Sequence, residues 1–116
     1  MITVYRAFLL NRDTATESIT LHAKEIEVFG TLINGVKIYF TPFEAIEALY
    51  EENKKSITPA HRIVIHKTEI DEDSYITISN NKEEIHICKK DLFFIKSTEE
   101  SFGTVISYLS ERQRGN

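Results

Sequence analysis

The feature that most constrains the fold is a pair of amphipathic segments, each preceded by a helix start signal. The first begins at Thr41-Pro42-Phe43-Glu44, with a capping threonine, a proline at the first helical position and a glutamate three residues after the cap. The apolar residues that follow fall on one side of a helix: Phe43, Ile46, Leu49 and Tyr50. The pattern predicts a helix over residues of about 42–54, with glutamates on its opposite side.

The second segment begins at Ser97-Thr98-Glu99-Glu100, which has the same capping pattern. The apolar residues after it recur at i, i+3, i+4 and i+7, as one face of a helix requires: Phe102, Val105, Ile106 and Leu109. This predicts a C-terminal helix over about 98–111. Two helices among many strand-like segments are too few for a parallel α/β fold, in which helices and strands alternate.

The rest of the chain is rich in β-forming residues with alternating polarity. In Ser18–Phe29 the alternation changes phase between Lys24 and Ile26, which indicates a bulge or a break. Asn34-Gly35 is typical of a two-residue hairpin turn and predicts that Ile26–Leu32 pairs with Val36–Phe40. A second hairpin is predicted around Asn80-Asn81-Lys82. The predicted fold class is α+β: a mainly antiparallel sheet of five to seven strands, with both helices packed on one face.

Composition narrows the functional classes. The chain has 116 residues, of which 41% are hydrophobic and 28% charged, as is ordinary for one globular domain over residues 1–116. Its net charge of −4 disfavours a general nucleic-acid surface. Cys88 is the only cysteine, which excludes an intramolecular disulfide and four-thiolate zinc frameworks. The apolar opening Met1–Leu10 is short and contains Arg6, so no signal peptide or membrane span is predicted, and the expected location is cytoplasmic.

Candidate catalytic groups are few. Strand alternation places His22, His66 and His86 on the polar faces of their strands, where they could meet as a metal or acid–base site, but no close ligand motif such as HxH or HExxH supports one. His86 and Cys88 share a strand face at roughly 7 Å, too far for a direct nucleophile–base hydrogen bond. We predict no catalytic residue, no metal and no cofactor, and a non-enzyme is favoured over a small enzyme using these groups.

Two acidic surfaces are the most distinctive polar features. One is the outer face of the first helix, with Glu44, Glu47 and Glu51, and the other is the turn around Asp71 and Asp73. Such faces can bind a basic surface of another protein, because complementary charge speeds and orients the encounter. The alternative is that both faces are simply solvated.

A strip of lysines is the competing candidate. Its members are Lys82, Lys89, Lys90 and Lys96. Phe93 and Phe94 lie nearby, and basic residues interleaved with aromatic ones can bind single-stranded nucleic acid. In an extended segment Phe93 and Phe94 point to opposite faces, so at least one of them is expected in the core.

Two partial resemblances concern the ends of predicted elements. The segment Phe94-Ile95-Lys96-Ser97-Thr98-Glu99-Glu100-Ser101-Phe102 with Ile106 and Leu109 resembles the last strand and closing helix of bacterial immunity proteins and of pleckstrin-like domains. Val36–Tyr50 is similar to the strand-to-helix entry of archaeal tRNA-splicing endonucleases. The chain lacks a tyrosine–histidine–lysine pattern at a suitable spacing, so that activity is not carried over.

These observations lead to one functional hypothesis and one alternative. The hypothesis is a small non-enzymatic protein-binding domain that acts stoichiometrically, as an immunity protein or a phage-encoded inhibitor does. Its partner would be another protein with a basic surface, no membrane is involved, and a homodimer through a strand edge or the last helix is a further option. The alternative is a nucleic-acid-binding regulator or processing factor that uses the lysine strip around residues 82–96.

Overall fold

The computed structural model describes residues 1–14 and 17–114. Within them lie eight strands, two α-helices and one short 3₁₀ helix (Glu72–Ser74). In chain order the other elements are β1 (Ile2–Asn11), β2 (Ser18–Leu21), β3 (Lys24–Val28), β4 (Thr31–Ile38), α1 (Pro42–Asn53), β5 (His61–Ile70), β6 (Tyr75–Asn80), β7 (Glu83–Cys88), β8 (Leu92–Glu100) and α2 (Phe102–Arg114). The predicted mixture of helices and strands is confirmed.

The strands form two sheets of four, so the expectation of a single sheet of five to seven strands is wrong. Sheet 1 has the order β1-β5-β8-β2 and sheet 2 the order β3-β4-β7-β6, and every pairing is antiparallel. The chain changes sheets at His22 and Ala23, where the backbone N–H of Ala23 donates to the Asp91 carboxylate at 2.6 Å. The phase change in the sequence therefore marks a break between two sheets, slightly earlier than predicted. A bridge between Tyr5 and Tyr39 joins the sheets.

Sheet 1 is the central layer, with sheet 2 packed on one face and the two helices packed on part of the other. Against sheet 2 it buries one apolar cluster, formed by Val4, Val36, Ile38, Ile70, Cys88, Leu92 and Phe94. Against the two helices it buries a second cluster, formed by Ala7, Ala45, Ile46, Ile63, Ile65, Val105 and Leu109. This is why the run Ile63-Val64-Ile65 shows no polar alternation, since both faces of β5 are buried there.

The two helices match their predictions to different degrees. In α1 the Thr41 hydroxyl accepts a hydrogen bond from the Glu44 backbone N–H at 3.1 Å, and Pro42 is the first residue, as predicted. In α2 the predicted start at residue 98 is wrong, because β8 continues to Glu100 and pairs there with Ile63. The cap is Ser101, whose hydroxyl accepts from the Thr104 N–H at 3.1 Å. Val105 and Leu109 are buried as predicted, whereas the side chain of Phe102 lies outside the described residues.

The hairpin predicted at Asn34-Gly35 is also wrong. The turn between β3 and β4 is Phe29-Gly30, and both of these residues have the positive φ (49° and 82°) that a type I′ turn requires. Gly35 lies inside β4, where a Cβ atom would collide with Cγ2 of Ile87 and the backbone oxygen of Cys88. This glycine therefore permits a close approach to β7. The hairpin predicted around Asn80-Asn81-Lys82 is confirmed by the β6–β7 pairing.

Candidate functional site

The outer face of α1 combines three glutamates with an exposed aromatic side chain. Helix α1 buries Ala45 and Ile46 against sheet 1. On its opposite side Glu44 and Glu51 are exposed and Glu47 is half-buried. Phe43 is 54% exposed. It was expected to join the buried side, but its spacing of four residues from Glu47 places it beside the acidic residues instead.

Helix α2 holds this aromatic side chain in place. The rings of Phe43 and Tyr108 stack with centroids 4.8 Å apart and an angle of 22° between their planes. The Tyr108 hydroxyl donates to Oε1 of Glu47 at 3.3 Å. Two contacts from one tyrosine therefore orient both an apolar and an acidic member of the surface. We call Phe43, Glu44, Glu47 and Glu51 the α1 surface.

One ion pair lies beside the α1 surface. Lys54 Nζ lies 3.7 Å from Glu51 Oε2, and both side chains are more than half exposed. Exposed pairs of this kind contribute little and are screened by salt. Glu44 and Glu51 therefore present exposed carboxylates near a half-exposed aromatic ring.

The second predicted acidic surface lies elsewhere. Asp71 and Asp73 are exposed in and beside the 3₁₀ helix that follows β5, where the Ser74 N–H donates to the Asp71 carbonyl at 3.0 Å. This turn follows Ile70, whereas the helix-covered part of β5 contains Ile63 and Ile65. At about 3.3 Å per residue, Ile63 and Ile70 are about 23 Å apart along the strand. The two acidic regions are therefore separate surfaces.

The four lysines of the predicted strip are distributed along and beyond β7. Lys82 lies in the β6–β7 turn, while Lys89 and Lys90 follow the other end of β7. A six-residue strand is about 20 Å long, so these groups do not share one site. Lys96 Nζ lies 3.1 Å from Glu99 Oε2, in an ion pair within the molecule. As predicted, one neighbouring aromatic residue is in the core: Phe94 is fully buried and Phe93 is 58% exposed.

Lys96 belongs to a structural ion-pair cluster with Glu99 and Arg62. The Arg62 guanidinium donates to both Glu99 carboxylate oxygens, at 2.7 and 2.8 Å. The hydrogen bonds from Arg62, and then that from Lys96, lower the pKa of Glu99 to about 2. Arg62 also donates to the backbone carbonyls of Arg12 and Thr14. The cluster therefore ties β5 and β8 to the segment that follows β1.

The structure keeps the predicted histidines apart. His22 Nδ1 is 3.1 Å from the exposed Asp91 carboxylate, and His86 Nδ1 is 2.8 Å from the Thr77 hydroxyl. His66 is buried rather than solvent-facing, and its ring meets Phe8 edge-on at 5.2 Å. Across residues 1–14 and 17–114 no group of three potential ligands could hold a metal ion.

Two of the remaining polar groups lie in apolar surroundings. Among the described residues neither ring nitrogen of His66 has a hydrogen-bond partner. Burial, and then the charge of Lys96, lower the pKa of this imidazole, while Glu17 opposes the shift. Cys88 is fully buried between the sheets, as expected for a structural cysteine.

A cleft of about 640 Å³ is lined by β1 to β4 and by Glu52 of α1. Its cations are Arg6, Lys24 and Lys37, and its anions include Glu27. Arg6 is already engaged, since its Nη1 donates to the Lys37 carbonyl at 2.8 Å. The mixture of charges does not select one chemical class of ligand.

Sequence reasoning missed two surface features. The spacing of Phe43 fits both the apolar side, with Ile46 and Tyr50, and the acidic side, with Glu47, so only the packing of α1 shows that it is exposed. The exposed pair Phe93 and Ile95 was not recognised as a surface, because its exposure depends on how far the helices extend over sheet 1.

The comparisons with known proteins add no identification. Protein-family models, curated proteins and solved structures all gave no match to this chain. In the described part of the chain neither helix is long and apolar enough to cross a membrane. The function is therefore inferred from the surfaces of the molecule.

Proposed function

We propose that this chain is a small, non-enzymatic protein-binding domain that acts stoichiometrically through its α1 surface. The observation that carries the proposal is Phe43, a half-exposed phenylalanine held in one orientation by Tyr108 and surrounded by glutamates. Its mode of action would be to mask a site on another protein, as an immunity protein or a phage-encoded inhibitor does.

The chemistry of the α1 surface fits a protein partner. Binding energy at protein interfaces is concentrated in a few residues, often aromatic ones, surrounded by polar contacts that exclude water. Phe43 has such a position. Its stacking on Tyr108 restricts the ring before binding, so less side-chain entropy is lost when a partner covers it.

The charge of the surface defines the partner's chemistry. Glu44 and Glu51 present exposed carboxylates on one side of α1, so the complementary surface is basic and carries an apolar pocket for Phe43. Complementary charges raise the association rate and lose their effect as salt screens them. We therefore expect the affinity to fall as ionic strength rises, while the contribution of Phe43 to the affinity persists at high salt.

The test compares two phenylalanines of nearly equal exposure, Phe43 at 54% and Phe93 at 58%. Proteins captured from a native lysate by the unaltered chain would be purified and titrated against it by calorimetry, to obtain stoichiometry and affinity. Phe43→Ala should weaken a 1:1 complex by about ten-fold or more, while Phe93→Ala should leave it unchanged. Equal losses for both variants, or binding without a defined stoichiometry, would contradict the proposal.

A second pair of variants tests the charge. Glu44→Lys with Glu51→Lys should weaken the complex, and Asp71→Lys with Asp73→Lys supplies the matched control of equal charge change on the other acidic surface. Glu47 is left intact because it accepts the Tyr108 hydrogen bond. If the variant with Glu44→Lys and Glu51→Lys binds as tightly as the unaltered chain, the α1 surface is not the binding site.

A further inference from the structure

Sheet 1 has a helix-side face that the helices cover only in part. β5 has ten residues and is about 33 Å long, whereas the twelve residues of α1 span about 18 Å. The helices pack over Ala7, Ile63 and Ile65. Beyond them no element among residues 1–14 and 17–114 covers the same face.

The uncovered part carries large apolar side chains. Phe93 is 58% exposed, Ile95 51% and Met1 79%. Ile95 pairs with Lys67, which lies two residues from Ile65 and therefore on the same face. Glu69 follows on that face, opposite Thr3 of β1. We call Met1, Thr3, Lys67, Glu69, Phe93 and Ile95 the open patch.

The open patch carries two charged side chains, Lys67 and Glu69, and both are exposed. In the described part of the chain, neither Lys67 nor Glu69 forms an ion pair. They are two residues apart on one strand face, and the apolar side chains of β8 lie beside them. A partner for this patch must therefore offer an apolar area flanked by one cation and one anion in the reverse order.

We propose that this partner is a second copy of the chain, bound face to face through a two-fold axis that lies in the interface, perpendicular to β5 and level with the midpoint between Lys67 and Glu69. Such an axis reverses the strand direction, so Lys67 of each copy lies opposite Glu69 of the other, and both charges are satisfied. The same operation stacks Phe93 and Ile95 of the two copies across the interface. The patch is thus complementary to itself in both charge and polarity.

The size of the patch sets the strength of the dimer. The open patch has far fewer residues than the roughly 20–30 per partner of a standard stable interface. We therefore expect a concentration-dependent dimer with a dissociation constant above about 1 μM. The open patch and the α1 surface have no residue in common, so different variants test the dimer and the proposed function.

The first experiment measures association by sedimentation equilibrium up to about 1 mM protein. Phe93→Ala should raise the dimer dissociation constant at least about ten-fold, since the substitution acts on both copies. Phe43→Ala, matched in exposure, should not change it. The roles of these two variants are the reverse of those in the partner-binding test, so failure of one proposal is distinguishable from failure of the other.

The second experiment tests the pairing of Lys67 with Glu69 of the other copy, which the two-fold symmetry requires. Lys67→Glu and Glu69→Lys should each weaken the dimer, because like charges then face one another. The double variant with both changes should restore association, and an equimolar mixture of the two single variants should form a heterodimer. Circular dichroism and thermal unfolding check that each variant keeps the fold.

Three outcomes would overturn the proposal. The first is a monomer at every concentration. The second is a dimer weakened by Phe43→Ala rather than by Phe93→Ala. The third is a dimer whose strength ignores the sign of the charges at Lys67 and Glu69.

Discussion

The helix-side face of sheet 1 has two ends with the same strands and opposite surroundings. At the covered end, Ile63 and Ile65 are at most 2% exposed beneath α1 and α2. At the open end, Ile95 and Phe93 remain more than half exposed on the same face. The residue types are alike, so the difference comes from helix length and placement. Burial at the covered end stabilises the fold, whereas exposure at the open end leaves apolar surface for association.

The largest effect is expected when an isoleucine is truncated at the covered end, and the same change at the open end is the comparison. Ile65→Ala removes a fully buried side chain and should lower the free energy of unfolding by about 2–5 kcal/mol. Ile95→Ala removes the same atoms from an exposed position and should change it by less than about 0.5 kcal/mol. Urea unfolding of the two variants at a low, monomeric concentration measures both. Comparable losses would mean that the open end is also part of the packed core.

A smaller effect is expected when the capping hydroxyls of α1 and α2, the helices over the covered end, are removed. Thr41→Ala removes the hydroxyl that caps α1, and Ser101→Ala removes the one that caps α2. Each should cost about 1 kcal/mol of unfolding free energy. Thr98→Ala is the control, because residue 98 lies in β8, although the sequence pattern predicts a helix start there. Equal losses for all three variants would mean that the Thr41 and Ser101 hydroxyls do not act as helix caps.

The smallest effect concerns the other face of β5, where His66 lies between the two ends. Its pKa is lowered by burial and by Lys96, so the unfolded chain binds a proton at higher pH than the folded chain does. The free energy of unfolding should therefore fall as the pH drops from 7 to 5. His66→Leu should remove this dependence without loss of stability at pH 7, because the leucine buries no unpaired nitrogen.

Thermal unfolding across this pH range provides the measurement. Glu99 cannot account for the same change. Its pKa is about 2 in the folded chain and ordinarily 4.5, so its contribution to the free energy of unfolding is lost mainly below pH 4.5. A His66→Leu variant that keeps the wild-type pH profile would show that another group titrates. A marked loss of stability at pH 7 would show that the imidazole makes favourable polar contacts.

Features that depend on residues close together in the sequence could be predicted, and features that depend on distant residues could not. The start of α1 was predictable because Thr41, Pro42 and Glu44 interact within four residues, and the apolar residues repeat within the same helix. Phe93 and Phe94 were predictable as a pair because successive residues of a strand point to opposite faces. Which of them is buried depended on sheet 2, whose packing covers Phe94.

The candidate site was predictable only in part, for the same reason. The glutamates of α1 follow from helical periodicity, and so does their exposure. The role of Phe43 depends on Tyr108, which is distant in the sequence and becomes its neighbour only when α2 packs beside α1. Ser97–Glu100 has a capping pattern, yet most of it extends as strand because it pairs with Ile63–Ile65 of β5, more than 30 positions away.

The sequence by itself determined the α+β composition, the capped helix α1, the β6–β7 hairpin and the acidic side of α1, since these depend on near neighbours and on periodicity. Tertiary structure decided the division into two sheets, the start of α2, the turn at Phe29-Gly30 and the exposure of the open patch. Each of these features depends on which distant strand a given segment pairs with, or on how far a helix extends over a sheet. Local patterns carry no information about such long-range competition, so only the packed molecule resolves it.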